Sequence, residues 1–144
     1  MKFNSQICTT KIQSERLLAL GLKAETADMC INPSRELVYP FSYSEVLTLY
    51  DNYGLGKIME VELLLPAWSL HRLIEMMPSF IEVDDNPFGL EFKIAQGKLV
   101  LYESIVEDSI GFVWGHGNLY DSIISCIGQL IKECHFNKEY LEEK

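Results

Sequence analysis

The chain has 144 residues, of which 48% are hydrophobic and 23% are charged. This balance is typical of a globular protein and excludes an intrinsically disordered chain. The net charge of −9 disfavours direct binding of nucleic acid or of anionic membranes, because both depend on Lys and Arg. The length predicts a single domain over residues 1–144 with a core of its own.

The N-terminal sequence MKFNSQICTT lacks the apolar centre of a signal peptide. No stretch of the sequence reaches the ~18 apolar residues of a membrane span. The four cysteines, at positions 8, 30, 126 and 134, are spread widely along the chain. We therefore expect a cytoplasmic protein with free thiols and no membrane association.

The first predicted helix covers residues 9–22. Thr10 and Gln13 have the spacing of a capping box, and Gly21 lies where the helix should end. Residues 23–37 show little apolar periodicity and contain a proline, so the sequence predicts a loop there.

For residues 42–65 the sequence does not decide between a helix and a strand. Ser42 and Glu45 have the spacing of a second capping box, which favours a short helix to about residue 52. The sequence VLTLY at residues 46–50 fits a strand almost as well. Residues 57–65 alternate between two sets of side chains and predict a short strand or an extended segment.

A further helix is predicted to begin after Ser69, a good N-cap residue, and to end at Pro78. Its apolar face is expected to contain Leu70, Leu73, Ile74 and Met77. Residues 80–83 predict the first strand of a sheet, and residues 84–87 a turn.

A β-hairpin over residues 88–101 is the clearest structural signal. Apolar residues alternate with others from residue 88 to residue 95, and Gln96-Gly97 follows as a tight turn. A two-residue loop places Ile94 opposite Leu99 and Phe92 opposite Leu101, so that one register gathers the apolar side chains on one face.

The last part of the chain predicts a third meander strand over residues 110–114 and a closing helix capped by Asn118. The inner face of this helix is expected to contain Leu119, Ile123, Ile127, Leu130, Ile131 and Cys134, with Ser122 on the opposite face. The tail FNKEYLEEK is expected to fray. The sequence thus predicts an α+β fold, with an antiparallel meander of about three or four strands packed against helices.

Two features are candidate binding sites. In Gly115-His116-Gly117 the glycines would let a ligand approach the backbone closely, and a histidine side chain can titrate near neutral pH. An ordinary connection between a strand and a helix also explains both glycines. The first half is rich in aromatic residues, which either line a binding groove or cover a core. The candidate binding residues are Trp68, Tyr43, Tyr50, Tyr53 and His116.

No motif predicts catalysis, a metal site or a cofactor. Cys126 and Cys134 are eight residues apart on one predicted helix, which separates them by roughly 12 Å and does not suit one zinc ion. We expect the cysteines to be core thiols. The acidic pairs at the predicted turns, such as Glu107-Asp108, lack the EF-hand spacing and are expected to be solvated.

Three stretches carry a resemblance to a known family: Cys8-Thr9-Thr10, Thr26-Ala27-Asp28-Met29 and Leu65-Pro66-Ala67-Trp68-Ser69-Leu70. With a final helix opened by Asn118-Leu119-Tyr120-Asp121, the chain resembles a family of small uncharacterised proteins from gut Bacteroidetes and their phages or mobile elements. The resemblance implies an intracellular bacterial setting. It implies no activity, cofactor or catalytic residue.

The acidic charge and the aromatic first half favour a non-enzymatic cytoplasmic domain that works by protein–protein contact, as an accessory of a mobile element or phage. One alternative is a small ligand-binding domain or enzyme with a site near His116 or Trp68. Another is an acidic inhibitor that imitates nucleic acid for a DNA-binding partner. The sequence leaves the partner and the oligomeric state open.

Overall fold

The computed structural model describes residues 6–42, 44–46, 64–83, 86–95, 98–104, 109–114 and 119–143. Its helices are α1 (Lys11–Ala19), α2 (Leu70–Glu75) and α3 (Leu119–Lys132), with 3-10 turns at Ala24–Thr26 and Lys138–Tyr140. Its strands are β1 (Met29–Asn32), β2 (Leu37–Tyr39), β3 (Leu65–Ala67), β4 (Phe80–Val83), β5 (Asn86–Ala95), β6 (Lys98–Ser104) and β7 (Ser109–Trp114). The fold is α+β, as the sequence predicted.

The chain divides into two compact units. The first unit contains residues 1–72 and 140–144, and the second contains residues 73–139. The second unit is therefore inserted, in chain order, between Arg72, which lies within α2, and Tyr140. The prediction of one domain over the whole chain stays a prediction.

The first unit contains an antiparallel sheet of order β2-β1-β3. Ile31 of the central strand pairs with Val38 on one side and with Leu65 on the other. Pro66 lies in β3, where its missing N–H is tolerated because β3 is at the edge of this sheet.

The loop predicted over residues 23–37 was wrong, because this stretch holds a 3-10 turn, all of β1 and the start of β2. Residues 33–36 form the turn between the strands, and Oδ1 of Asn32, the last residue of β1, accepts a hydrogen bond of 3.1 Å from the Ser34 N–H. The strands are too short for a recognisable alternation. Pairing of β1 with the distant strand β3 stabilises them instead.

Helix α1 has the predicted capping box and end signal, although it covers Lys11–Ala19 and not the whole of the predicted residues 9–22. The Gln13 N–H donates to Thr10 Oγ1 at 3.2 Å and the Thr10 N–H donates to Gln13 Oε1 at 3.0 Å, which completes the capping box. Gly21 has a φ of 103° and so ends the helix, and the Leu22 N–H returns to the Leu17 carbonyl at 3.2 Å.

The second predicted capping box is also present. The Glu45 N–H donates to Ser42 Oγ at 3.1 Å, the Ser42 N–H donates to a Glu45 carboxylate oxygen at 3.3 Å, and residues 44–46 are helical. The predictions for residues 47–63, for the turn Gln96-Gly97 and for the cap Asn118 lie outside the described residues.

The second unit contains an antiparallel meander of order β4-β5-β6-β7. Its central hairpin has the predicted register, with Ile94 opposite Leu99 and Phe92 opposite Leu101. Helix α3 contacts β6 and β7. The predicted inner face of α3 is buried at Ile123, Ile127 and Leu130 and half-buried at Leu119 and Ile131.

Two predictions for the end of the chain were wrong. Ser122, placed on the outer face of α3, is buried, and Cys134, placed on the inner face, is exposed. Cys134 follows the helix with a φ of 62°, so it no longer has the helical direction that its spacing assumed.

The tail FNKEYLEEK was expected to fray, and it is instead held in place. The Lys23 N–H donates to the Tyr140 carbonyl at 2.9 Å, and the Glu142 N–H donates to the Gly21 carbonyl at 2.7 Å. Leu141 forms an antiparallel bridge with Leu22. The tail therefore completes the backbone hydrogen bonding just after α1.

None of the helices in the described part of the chain combines the length and the apolar character that a bilayer span requires.

Candidate functional site

Of the five candidate binding residues, the described part of the chain contains only Trp68. Its side chain has no exposed surface, so the structure shows the core anchor that the sequence also suggested. Tyr43, Tyr50, Tyr53 and His116 lie outside the described residues. Their proposed roles stay predictions.

Trp68 is held by hydrogen bonds from two distant segments. Its indole Nε1 donates to Thr26 Oγ1 at 3.0 Å, and its backbone N–H donates to Thr9 Oγ1 at 3.0 Å. The Thr9 N–H in turn donates to the Trp68 carbonyl at 2.9 Å. Every polar group of Trp68 thus has a partner although the residue is buried, as an ordered core requires.

The next residue along the chain repeats this arrangement. The Ser69 N–H donates to Asp28 Oδ1 at 2.9 Å, and the Ser69 hydroxyl donates to Asp28 Oδ2. Ser69 Oγ also accepts from the Arg72 N–H at 3.1 Å, which caps α2 as predicted. Arg72 Nε donates to the Thr26 carbonyl at 2.8 Å, and its guanidinium lies 5.7 Å from the centre of the Tyr140 ring.

The three stretches that carry the family resemblance therefore meet in space. Thr9, Thr26 and Trp68 form one set of contacts, and Asp28 and Ser69 form another. These contacts fix segments far apart in sequence, so the pattern has a structural explanation that needs no ligand.

A cleft of about 530 Å³ lies elsewhere on the first unit. It is lined by residues 6–10 on one side and by residues 31–33 and 36–38 of the β1–β2 hairpin on the other. The N-terminal wall is held in place because Gln6 Nε2 donates to the Cys8 carbonyl at 2.8 Å and to Gln13 Oε1 at 2.7 Å. Thr9, in the same wall, is fixed to Trp68 as described above.

The rim of the cleft is apolar and open to solvent. The exposed fractions are 57% for Ile7, 45% for Leu37 and 40% for Val38. Three large apolar side chains left in water around one concave surface are unusual for a region that only stabilises the fold. Phe41, an aromatic residue two positions beyond the end of β2, is also exposed.

Among the polar groups of the cleft, the side-chain amide of Asn32 differs from the others in its hydrogen bonding. The residue is 1% exposed, and its Nδ2 has no hydrogen-bond partner within the described part of the chain. Buried donors of this kind are rare, because an unpaired buried N–H costs about 1–3 kcal/mol.

The three buried cysteine thiols are not activated. Burial, assisted by the charge of Asp28, raises the pKa of the Cys8 thiol to about 11. Burial likewise raises the pKa of Cys30 to about 11, and that of Cys126 to about 12. These thiols are protonated at neutral pH, whereas a nucleophile or a metal ligand needs the thiolate.

Within the described ranges, no group of three or more His, Cys, Asp or Glu side chains is placed to hold a metal ion. In comparisons with known proteins, no protein family, no curated protein and no solved structure matches this chain.

Sequence reasoning missed the cleft because it concentrated on aromatic residues. The rim comes from aliphatic residues in a stretch that was predicted to be a loop, and isolated apolar side chains in a predicted loop do not by themselves indicate a binding surface. The available signal was the proline turn Asn32-Pro33 between two short apolar runs, MCI and LVY, which is typical of a hairpin.

Proposed function

We propose that this protein is a binding module that docks a partner protein on the cleft of its first unit. The observation that supports this proposal is the set of exposed side chains Ile7, Leu37 and Val38 around a cleft of about 530 Å³. Removing such side chains from water stabilises a complex by roughly 1.5–3 kcal/mol for each fully buried residue. A cytoplasmic location is also part of the proposal, and the four free cysteines support it.

Chemistry at the cleft supports binding rather than catalysis. The polar groups of its lining are two amides, two threonine hydroxyls, the Glu36 carboxylate and the Cys8 thiol, whose pKa burial raises to about 11, so this thiol is not prepared for nucleophilic attack. An accessory role in a phage or mobile element is a further part of the proposal, and it rests on the family resemblance alone.

Site-specific photo-crosslinking tests the proposal. A photoreactive amino acid replaces Val38 at the rim or, as a matched control, Ile12, which is 76% exposed on α1 and does not line the cleft. Cells that produce the protein are irradiated, and the crosslinked products are identified by mass spectrometry. We expect one protein partner to be crosslinked from position 38 and not from position 12. This crosslink should disappear when the Leu37→Asp substitution is added to the protein that carries the photoreactive residue at position 38. Equal crosslinking from both positions, or none from position 38, would contradict docking at this cleft.

A small ligand is the second candidate function, because about 530 Å³ lies within the range of small-molecule pockets. The site would then be the cleft and not Trp68, whose indole N–H already donates to Thr26. Native mass spectrometry of gently purified protein distinguishes the two, since a small ligand adds a fixed mass of a few hundred daltons that Asn32→Asp removes.

A further inference from the structure

We infer that the occupant of the cleft is an extended segment of the partner, apolar with Lys or Arg, that pairs with the edge of β2 and accepts a hydrogen bond from Asn32 Nδ2. This inference rests on the proposed function and specifies its mode of binding. Three independent observations on the first unit support it: an unpaired donor, an available strand edge and the charge of the lining.

The unpaired donor has a defined identity. Because Asn32 Oδ1 accepts the Ser34 N–H at 3.1 Å, the amide cannot turn over without losing that bond, and Nδ2 is the group that has no partner among the residues that the structure describes. Asn32 is also one of the residues that line the cleft. Because β2 lies between its free edge and Asn32 in β1, the acceptor is a side-chain oxygen of the occupant, such as the amide oxygen of a Gln, that reaches over Leu37, the cross-strand partner of Asn32.

The available edge belongs to β2. Among the strands that the structure describes, β2 pairs with β1 alone and lies at the end of the order β2-β1-β3. In an antiparallel strand every second residue directs its N–H and C=O groups away from its neighbour, so this edge can receive another strand. In an extended peptide added there, one set of alternate side chains lies on the face of Leu37 and the other set on the face of Val38, since successive residues of a strand face opposite sides of the sheet.

The charge of the lining selects the class of peptide. Glu36 is the charged residue among those that line the cleft, and it is exposed at the β1–β2 turn with a φ of 54°. The whole chain carries a net charge of −9. Phosphates and acidic segments are repelled by this combination, whereas a segment with Lys or Arg is attracted.

The test uses the full chain and a displayed library of short random peptides. We expect enrichment of sequences in which apolar residues alternate with others that include Lys or Arg. The best peptide is then synthesised with single backbone N-methyl groups, and its affinity for the unchanged protein is measured by calorimetry. Methylation at every second position should weaken binding about fivefold, because it removes a hydrogen bond to β2, and the positions between should change it less than about twofold.

The role of Asn32 is tested with Asn32→Asp. This variant keeps the acceptor for the Ser34 N–H and replaces the Nδ2 donor with an oxygen that repels a carbonyl. Measured in about 0.5 M NaCl, where attraction between the new carboxylate and peptide cations is screened, binding should weaken about fivefold or more. Circular dichroism checks that the variant folds.

The outcomes separate this inference from the proposed function. If position 38 crosslinks a partner while N-methylation has the same effect at every position, the docking surface stands and strand addition is wrong. If Asn32→Asp folds and binds the peptide as the unchanged protein does, the assignment of the Asn32 donor is wrong. If no peptide is enriched or the enriched sequences are acidic, the inferred class of occupant is wrong.

Discussion

Replacing Trp68 with Phe is expected to destabilise the protein by about 2 kcal/mol. The smaller ring leaves a cavity of roughly 40 Å³, which at about 24 cal/mol per Å³ costs about 1 kcal/mol. Loss of the 3.0 Å hydrogen bond from Nε1 to Thr26 Oγ1 removes about 1 kcal/mol more. The Thr26 hydroxyl keeps its own donation to the Lys23 carbonyl at 2.7 Å, so the substitution leaves no unpaired donor behind.

Urea unfolding followed by far-UV circular dichroism measures the effect. For a slope of about 2 kcal/mol per molar urea, the midpoint should fall by about 1 M. Ile12→Ala is the control: Ile12 is 76% exposed, and its truncation should change the unfolding free energy by less than about 0.5 kcal/mol.

A double-mutant cycle separates the two contributions. Trp68→Phe and Thr26→Val should share a coupling energy of about 1 kcal/mol, because each removes the same hydrogen bond. A loss for Trp68→Phe that matches the Ile12→Ala control, or additive effects of the two core substitutions, would refute the view that this contact organises the first unit.

Three other changes have defined outcomes. Deleting residues 138–144 removes the Tyr140 carbonyl that accepts from the Lys23 N–H, so hydrogen–deuterium exchange should increase at Lys23, whereas deletion of residues 143–144 alone should leave it unchanged. Ellman's reagent should modify the exposed Cys134 at once and the three buried thiols only after unfolding; two or more fast thiols would contradict the described packing. Since burial raises the pKa of the Cys8 thiol from 9.0 to about 11, the folded state holds this proton more tightly than the unfolded chain, and the unfolding free energy should fall between pH 9 and pH 11, less so in Cys8→Ala.

Local signals in the sequence predicted the parts of the fold that local interactions determine. The capping box of Thr10 and Gln13 and the helix end at Gly21 depend on residues within one or two turns of each other. The register of the β5–β6 hairpin follows from its alternation and its loop length, which are also local. The fold class followed from these elements in order.

The missed elements depend on contacts between distant residues. Met29 in β1 pairs with Ala67 in β3, and the tail at Leu141 pairs with Leu22, so neither position is specified by its neighbours in sequence. The cleft also depends on a long-range contact, because its N-terminal wall is placed by the hydrogen bond between Thr9 and Trp68, whereas its rim at Leu37 and Val38 belongs to the local β1–β2 hairpin. Of the predicted candidate residues, the structure shows only Trp68, as a core residue.

The division of the chain has a consequence for biosynthesis. The first unit uses residues on both sides of the insertion, and the bonds that close it reach as far as Glu142. A ribosome that adds roughly 5–20 residues per second needs several seconds to extend the chain from Arg72 to that point. During this interval the residues of the second unit are all synthesised, while Gly21 and Lys23 still await their partners. We therefore expect the second unit to complete its folding before the first unit does. Until then the apolar β1–β2 hairpin of the nascent chain is exposed and available to chaperones.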